Sequence, residues 1–116
     1  MNTINGKDRI SNKELRQMSE KMFGNLVKAV VDIESEIIAV DAEMHADLEA
    51  FLLENGSKQK FLWGINFYPE FFGEEDFVEF DSMINLRPSQ NNRSKGIDDE
   101  NIREKILKIV EKLVIK

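Results

Sequence analysis

Three stretches in the middle of this chain repeat with a period of two and a fourth is a short β-branched run, a pattern that commits them to a sheet. In residues 26–33, Val27, Ala29, Val31 and Ile33 share one side of a strand while Lys28 and Asp32 share the other. Residues 37–40 form a second β-branched run, and the polar Glu34-Ser35-Glu36 between them predicts a tight hairpin. Phe61, Trp63, Ile65 and Phe67 alternate as a third strand that stops at Tyr68-Pro69. After the acidic loop 70–76, residues 77–87 read as a long fourth strand. Val78, Phe80, Ser82, Ile84 and Leu86 line one face of it, with Glu79, Asp81, Met83, Asn85 and Arg87 on the other.

Three helical patterns bracket these pairs. Ser11-Asn12-Lys13-Glu14 is a capping box, with Ile10 and Leu15 spaced as a hydrophobic staple. Leu15, Met18, Met22 and Phe23 make its apolar stripe, which Gly24 ends. A second helix over residues 44–54 carries Met44, Leu48, Phe51 and Leu52 on one face and stops at Asn55-Gly56. A third opens with Ile97 as staple and Asp98 as N-cap, and buries Ile102, Ile106, Ile109, Val110 and Leu113. The order α-β-β-α-β-β-α predicts an α+β fold: an antiparallel four-stranded sheet with helices mainly on one face. The other face is expected to be partly open or covered by a second subunit. Residues 1–10 are polar and expected to be loose, leaving 11–116 as a single domain.

Composition narrows the class. The chain has 116 residues, enough for one domain with its own core. A net charge of −6 opposes nucleic acid, whose affinity rests on neutralising phosphates. Cysteine is absent, which removes disulfides, thiolate zinc sites and cysteine nucleophiles and fits a reducing, cytoplasmic setting. No apolar run approaches a membrane span, and the first residues lack the apolar core of a signal peptide. No cofactor motif occurs: there is no P-loop, no Gly-x-Gly-x-x-Gly and no Gly-x-Ser-x-Gly.

Charge is unevenly placed. From Asp32 to Glu54 eight acidic residues occur without a Lys or Arg, whereas residues 82–97 hold Arg87, Arg93 and Lys95 without an acid. The donor-rich segment 81–95 therefore draws attention, with Asp81, Asn85, Arg87, Asn92, Arg93 and Ser94 as candidate ligand-binding residues for a small anionic or polar ligand. Asp81, Asn85 and Arg87 share strand parity, and the loop beyond them precedes a helix start, where free amides favour anions. The plainer reading is a solvated connection in which Asp81 pairs with Arg87 or Arg93 and the asparagines satisfy turn backbone. His45, the only histidine, has Glu43 and Asp47 nearby and is a candidate proton carrier, but a metal would need further ligands. The acids of the 70–76 loop do not match a calcium loop. Phe71 and Phe72, with Val30 and Met83, suggest a self-complementary patch and a homodimer.

Residues 62–69 and 79–94, together with Met44-His45-Ala46-Asp47, resemble an uncharacterised family of small prokaryotic proteins known as a domain of unknown function. That resemblance runs from about Ile10 onward and implies one compact domain and a prokaryotic source; it brings no activity, cofactor or catalytic residue. Two functional classes follow. One is a non-catalytic binding or regulatory module. The other is a small enzyme on an anionic substrate, with Arg87 and Arg93 holding the anion, Asp81 or His45 moving a proton, and Asn85 and Asn92 orienting. The first is favoured, because catalysis needs at least two positioned groups.

Overall fold

A computed structural model describes residues 1–116. Its order is β1 (Asn2–Ile4), β2 (Ile10–Ser11), α1 (Asn12–Lys21), β3 (Val27–Asp32), β4 (Ile37–Val40), α2 (His45–Glu54), β5 (Leu62–Phe67), β6 (Val78–Glu79), α3 (Glu100–Leu113) and β7 (Val114–Ile115). The fold is α+β. Its antiparallel sheet has five strands in the order β1-β4-β3-β5-β6 rather than four, and β2 and β7 form a small parallel pair. The fifth strand comes from the segment expected to be loose: Asn2, Thr3 and Ile4 pair with Val40, Ala39 and Ile38.

Local chemistry explains the elements that the sequence signals most strongly. Ser11 accepts from the Glu14 amide at 3.2 Å while the Glu14 carboxylate accepts from the Ser11 amide at 2.9 Å, the reciprocal cap that starts α1. In the β3–β4 turn, buried Asp32 accepts from the amides of Glu34 and Ser35 and from the Ser57 hydroxyl. Glu36 adopts a positive φ of 54° there. At α3 the N-cap is Asp99 and not Asp98, because Asp98 is already engaged by the Arg93 amide and the Ser94 hydroxyl.

Strand parity divides the helices. Val27, Ala29 and Val31 of β3 and Trp63, Ile65 and Phe67 of β5 face a core shared with Leu15 of α1 and with Ile106, Ile109, Val110 and Leu113 of α3. The opposite face carries Val30, Ala39 and Leu62, and α2 covers it with Leu48 and Leu52. Helices therefore lie on both faces, two against one. Full burial of each leucine contributes about 1.5–3 kcal/mol, so this second layer is a substantial part of the fold. It also takes two of the four residues suggested for a homodimer patch: Val30 is wholly buried beneath α2, and Phe72 packs edge-to-face on Phe77 with centroids 5.1 Å apart, while Phe71 and Met83 stay exposed. No helix is long and apolar enough to cross a membrane.

The expected strand 77–87 is the main correction. Only Val78 and Glu79 pair with β5, opposite Phe67 and Asn66. Continuing that register would set Asp81 opposite Gly64, but the chain instead leaves the edge and forms a single 3-10 turn at Met83–Asn85. Side chains then take over the pairing that a strand would have made.

Candidate ligand cleft

Gly64 makes the departure possible. A Cβ built there would lie 2.5 Å from the Ser82 Cβ and 3.2 Å from His45 Cδ2, so Ser82 and His45 pack where a side chain would stand. The Ser82 amide donates to the Lys95 carbonyl at 2.9 Å, tying the two ends of the loop together. Asn85, fully buried, then closes the β5 edge as a peptide group would. Its Oδ1 accepts from the Gly64 amide at 2.8 Å, and its Nδ2 donates to the Gly64 carbonyl at 2.9 Å and to the Lys95 carbonyl at 2.9 Å. One residue pair further on, the Arg87 guanidinium donates to the carbonyls of Leu62 and Gln59 and lies 4.1 Å from the centre of the Trp63 ring. Burial pulls the Arg87 pKa below its usual value, with the nearby charge of Glu49 acting in the opposite direction.

Asn92 fixes the rest of the loop. Only 3% exposed, it donates to the carbonyls of Asn85, Ser94 and Gly96 and accepts from the Asp98 amide at 2.8 Å. The six candidate residues thus separate. Asn85, Arg87 and Asn92 are buried and committed to backbone; Arg93 and Ser94 are exposed beside Asp98; Asp81 alone lines a cleft. They do not share one strand face, because there is no strand. Neither Arg87 nor Arg93 forms an ion pair with Asp81; the one pair within 4 Å is Lys112 with Glu36.

The cleft has a volume of about 450 Å³ and lies between the start of α2, strands β3 and β5, and residues 79–84. Asp81 meets His45 there, together with Lys28, Asn66, Tyr68 and Glu79, and Lys95 completes the lining. Glu79 is positioned by two donors on the same oxygen: Asn66 Nδ2 at 2.9 Å and the Tyr68 hydroxyl at 3.0 Å. Asn66 also donates to the Asp81 carbonyl at 3.2 Å, while its own Oδ1 is buried without a partner. Exposed Met44 and Met83 add apolar surface to the wall. No group of three or more His, Asp or Glu residues is arranged to hold a metal ion.

Electrostatics distinguish the two aromatic polar groups. His45, 9% exposed, has Nε2 2.8 Å from the Ile65 carbonyl. A carbonyl only accepts, so Nε2 carries the proton and Nδ1 is left as the ring's acceptor. Burial pulls its pKa below 6.5 and the charge of Lys28 lowers it further, against the Ile65 hydrogen bond, Asp81 and Asn66, which raise it. Tyr68 is pushed above 10.0 by burial and by its bond to Glu79, so it remains a phenol donor at neutral pH.

The depressed His45 pKa makes a pH prediction. Between the folded pKa and 6.5 the unfolded chain binds more protons than the folded one. The stabilising contribution is therefore complete above pH 6.5 and is lost as pH falls toward the folded value. His45→Gln is expected to flatten that part of the stability–pH curve. As the only histidine, His45 gives a single pair of ring resonances, and an NMR titration midpoint at or above 6.5 contradicts this account.

No motif in the sequence marks Lys28, Asn66, Tyr68 or Glu79 as site residues. Lys28, Asn66 and Glu79 carry the one available signal, since each sits at polar parity in a segment whose other face is apolar. The chain belongs to the family described as protein of unknown function (DUF5674), whose model spans residues 4–113. No curated protein and no solved structure matches it.

Proposed function

We propose that this member of a family of unknown function is a non-catalytic binding module, holding a small polar ligand with an anionic group in the His45–Asp81 cleft. Lys28 and Lys95 supply the positive charge for the anion. Glu79 and Asp81 accept from a donor or ammonium group on the same ligand, and His45 Nδ1 offers a neutral acceptor.

The observation that carries this reading is the fixed state of the cleft's polar wall. Glu79 is held by Asn66 and Tyr68, and the loop that carries Asp81, Ser82 and Lys95 is tied down by the buried side chains of Asn85 and Asn92. Groups ordered before binding lose less entropy on binding, which favours recognition over a merely solvated turn. The enzyme reading has one observation in its favour: His45 and Asp81, the two groups that could move a proton, share the cleft. It shifts the anion-holding role from Arg87 and Arg93, neither of which lines the cleft, to the lysines.

Calorimetric titration with inorganic phosphate, citrate and the common α-amino acids tests the binding reading. Lys28→Ala and Lys95→Ala are expected to weaken the observed ligand roughly tenfold each, as loss of a charge-assisted hydrogen bond does, while leaving the fold intact. Arg93→Ala is expected to leave binding unchanged. Absence of binding across the panel, or a loss that follows Arg93 instead of the lysines, contradicts the assignment; turnover of a bound compound that stops in His45→Gln replaces it with the enzyme reading.

A further inference from the structure

The larger cavity of the molecule lies away from the polar cleft. It is an apolar groove of about 610 Å³ between the loop after β5 and the end of α3. Phe77, Val110 and Val114, all buried, belong to its lining, as do the exposed side chains of Leu107 and Ile115. Residues of two edge strands border it: Val78 of β6, where the five-stranded sheet ends, and Val114 and Ile115 of β7, where the two-stranded sheet ends. Each of these strands pairs on one side only, and an edge strand presents unpaired backbone donors and acceptors to any chain that can lie alongside. Three carboxylates, Glu74, Glu75 and Glu111, stand around the groove against the single side-chain cation Lys116.

We propose that this groove docks an extended peptide segment of another protein, apolar at its centre and flanked by lysine or arginine. Alternate apolar side chains enter the groove, the peptide backbone pairs with a free strand edge, and its basic flanks meet Glu74, Glu75 and Glu111. The acidic surround selects among occupants. A second copy of this chain would bring its own three carboxylates against the same three, and an anionic lipid surface would be repelled. A helix would leave the strand edges unpaired.

The test uses a fluorescein-labelled peptide, Lys-Lys-Val-Thr-Val-Ile-Lys-Lys, in fluorescence anisotropy with the full chain. Saturable binding is expected. It should weaken roughly tenfold or more when the flanks become glutamate or when proline replaces the central valine, which removes a backbone donor. On the protein, the double variant Glu74→Lys/Glu75→Lys and the exposed-site variant Leu107→Ser are expected to weaken it to a similar degree with circular dichroism unchanged. For the wild type, amide NMR shifts should concentrate in residues 72–78 and 107–116. The proposal is overturned if the basic peptide does not bind, if basic and acidic peptides bind equally, or if shifts gather at His45 and Asp81 instead. Sedimentation showing a wild-type dimer that Leu107→Ser dissociates also overturns it, by making a second copy the occupant.

Discussion

Asn85→Ala is expected to lower the free energy of unfolding by about 3–5 kcal/mol, a large share of the roughly 5–15 kcal/mol that stabilises a domain of this kind. The alanine removes no charge and little apolar surface. It strands two backbone groups that have no other partner at that edge, the Gly64 amide and the Gly64 carbonyl, and takes one of two donors from the Lys95 carbonyl, which keeps the Ser82 amide. Each buried group left unsatisfied costs about 1–3 kcal/mol, and water enters only if the loop opens. Asn85→Asp separates this cause from packing. The carboxylate keeps the shape and the acceptor for the Gly64 amide but sets an oxygen against two carbonyls, so it is expected to destabilise at least as much as alanine at neutral pH. Urea denaturation monitored by circular dichroism reads both; a loss under about 1 kcal/mol for either variant would mean that Asn85 does not close the sheet edge.

Gly64→Ala is the second large effect, and it couples the fold to the cleft. The added methyl carbon would sit 2.5 Å from the Ser82 Cβ, 2.6 Å from its hydroxyl and 3.2 Å from His45 Cδ2. Ser82 cannot simply rotate away, because the contact includes its Cβ and its amide is bonded to the Lys95 carbonyl. The 82–95 loop must lift or the His45 ring must shift, and overpacking of this kind costs about 1–3 kcal/mol. The expected outcome is a folded but weakened protein in which His45 is better solvated and its pKa returns toward 6.5. A midpoint unmoved from the wild type, with stability also unchanged, would show that the close packing of Ser82 and His45 on Gly64 is not needed.

The sequence revealed what short-range chemistry decides. The Ser11–Glu14 cap, the β3–β4 hairpin and the stripe of α3 depend on residues within one or two turns of each other, and they stand where the pattern set them. The 77–87 segment did not, although its alternation is real. Its departure from β5 depends on a missing side chain at Gly64 and on Asn85 and Arg87 substituting for a strand, 21 and 25 residues from their partners. No period records that. β1 was missed because one buried residue, Ile4, carries it. Val30 is the readable clue to the second layer: an apolar residue at polar parity, it is the floor on which α2 packs rather than part of a subunit patch. Within the candidate site the same limit applies. Asp81 and His45 stood out by residue type, but only the fold puts them in one cleft and turns Asn85, Arg87 and Asn92 inward as its support.

The proposed binding surface is the polar cleft and not the arginine-bearing loop beyond it. An amide and side-chain NMR titration of the isotope-labelled chain with the compound that binds in calorimetry tests this most directly. Saturable shifts are expected at Lys28, His45, Asn66, Ser82 and Lys95, with Arg93 and Ser94 unmoved. Shifts centred on Arg93 and Ser94, with the His45 ring and the Asn66 side chain unchanged, would contradict it.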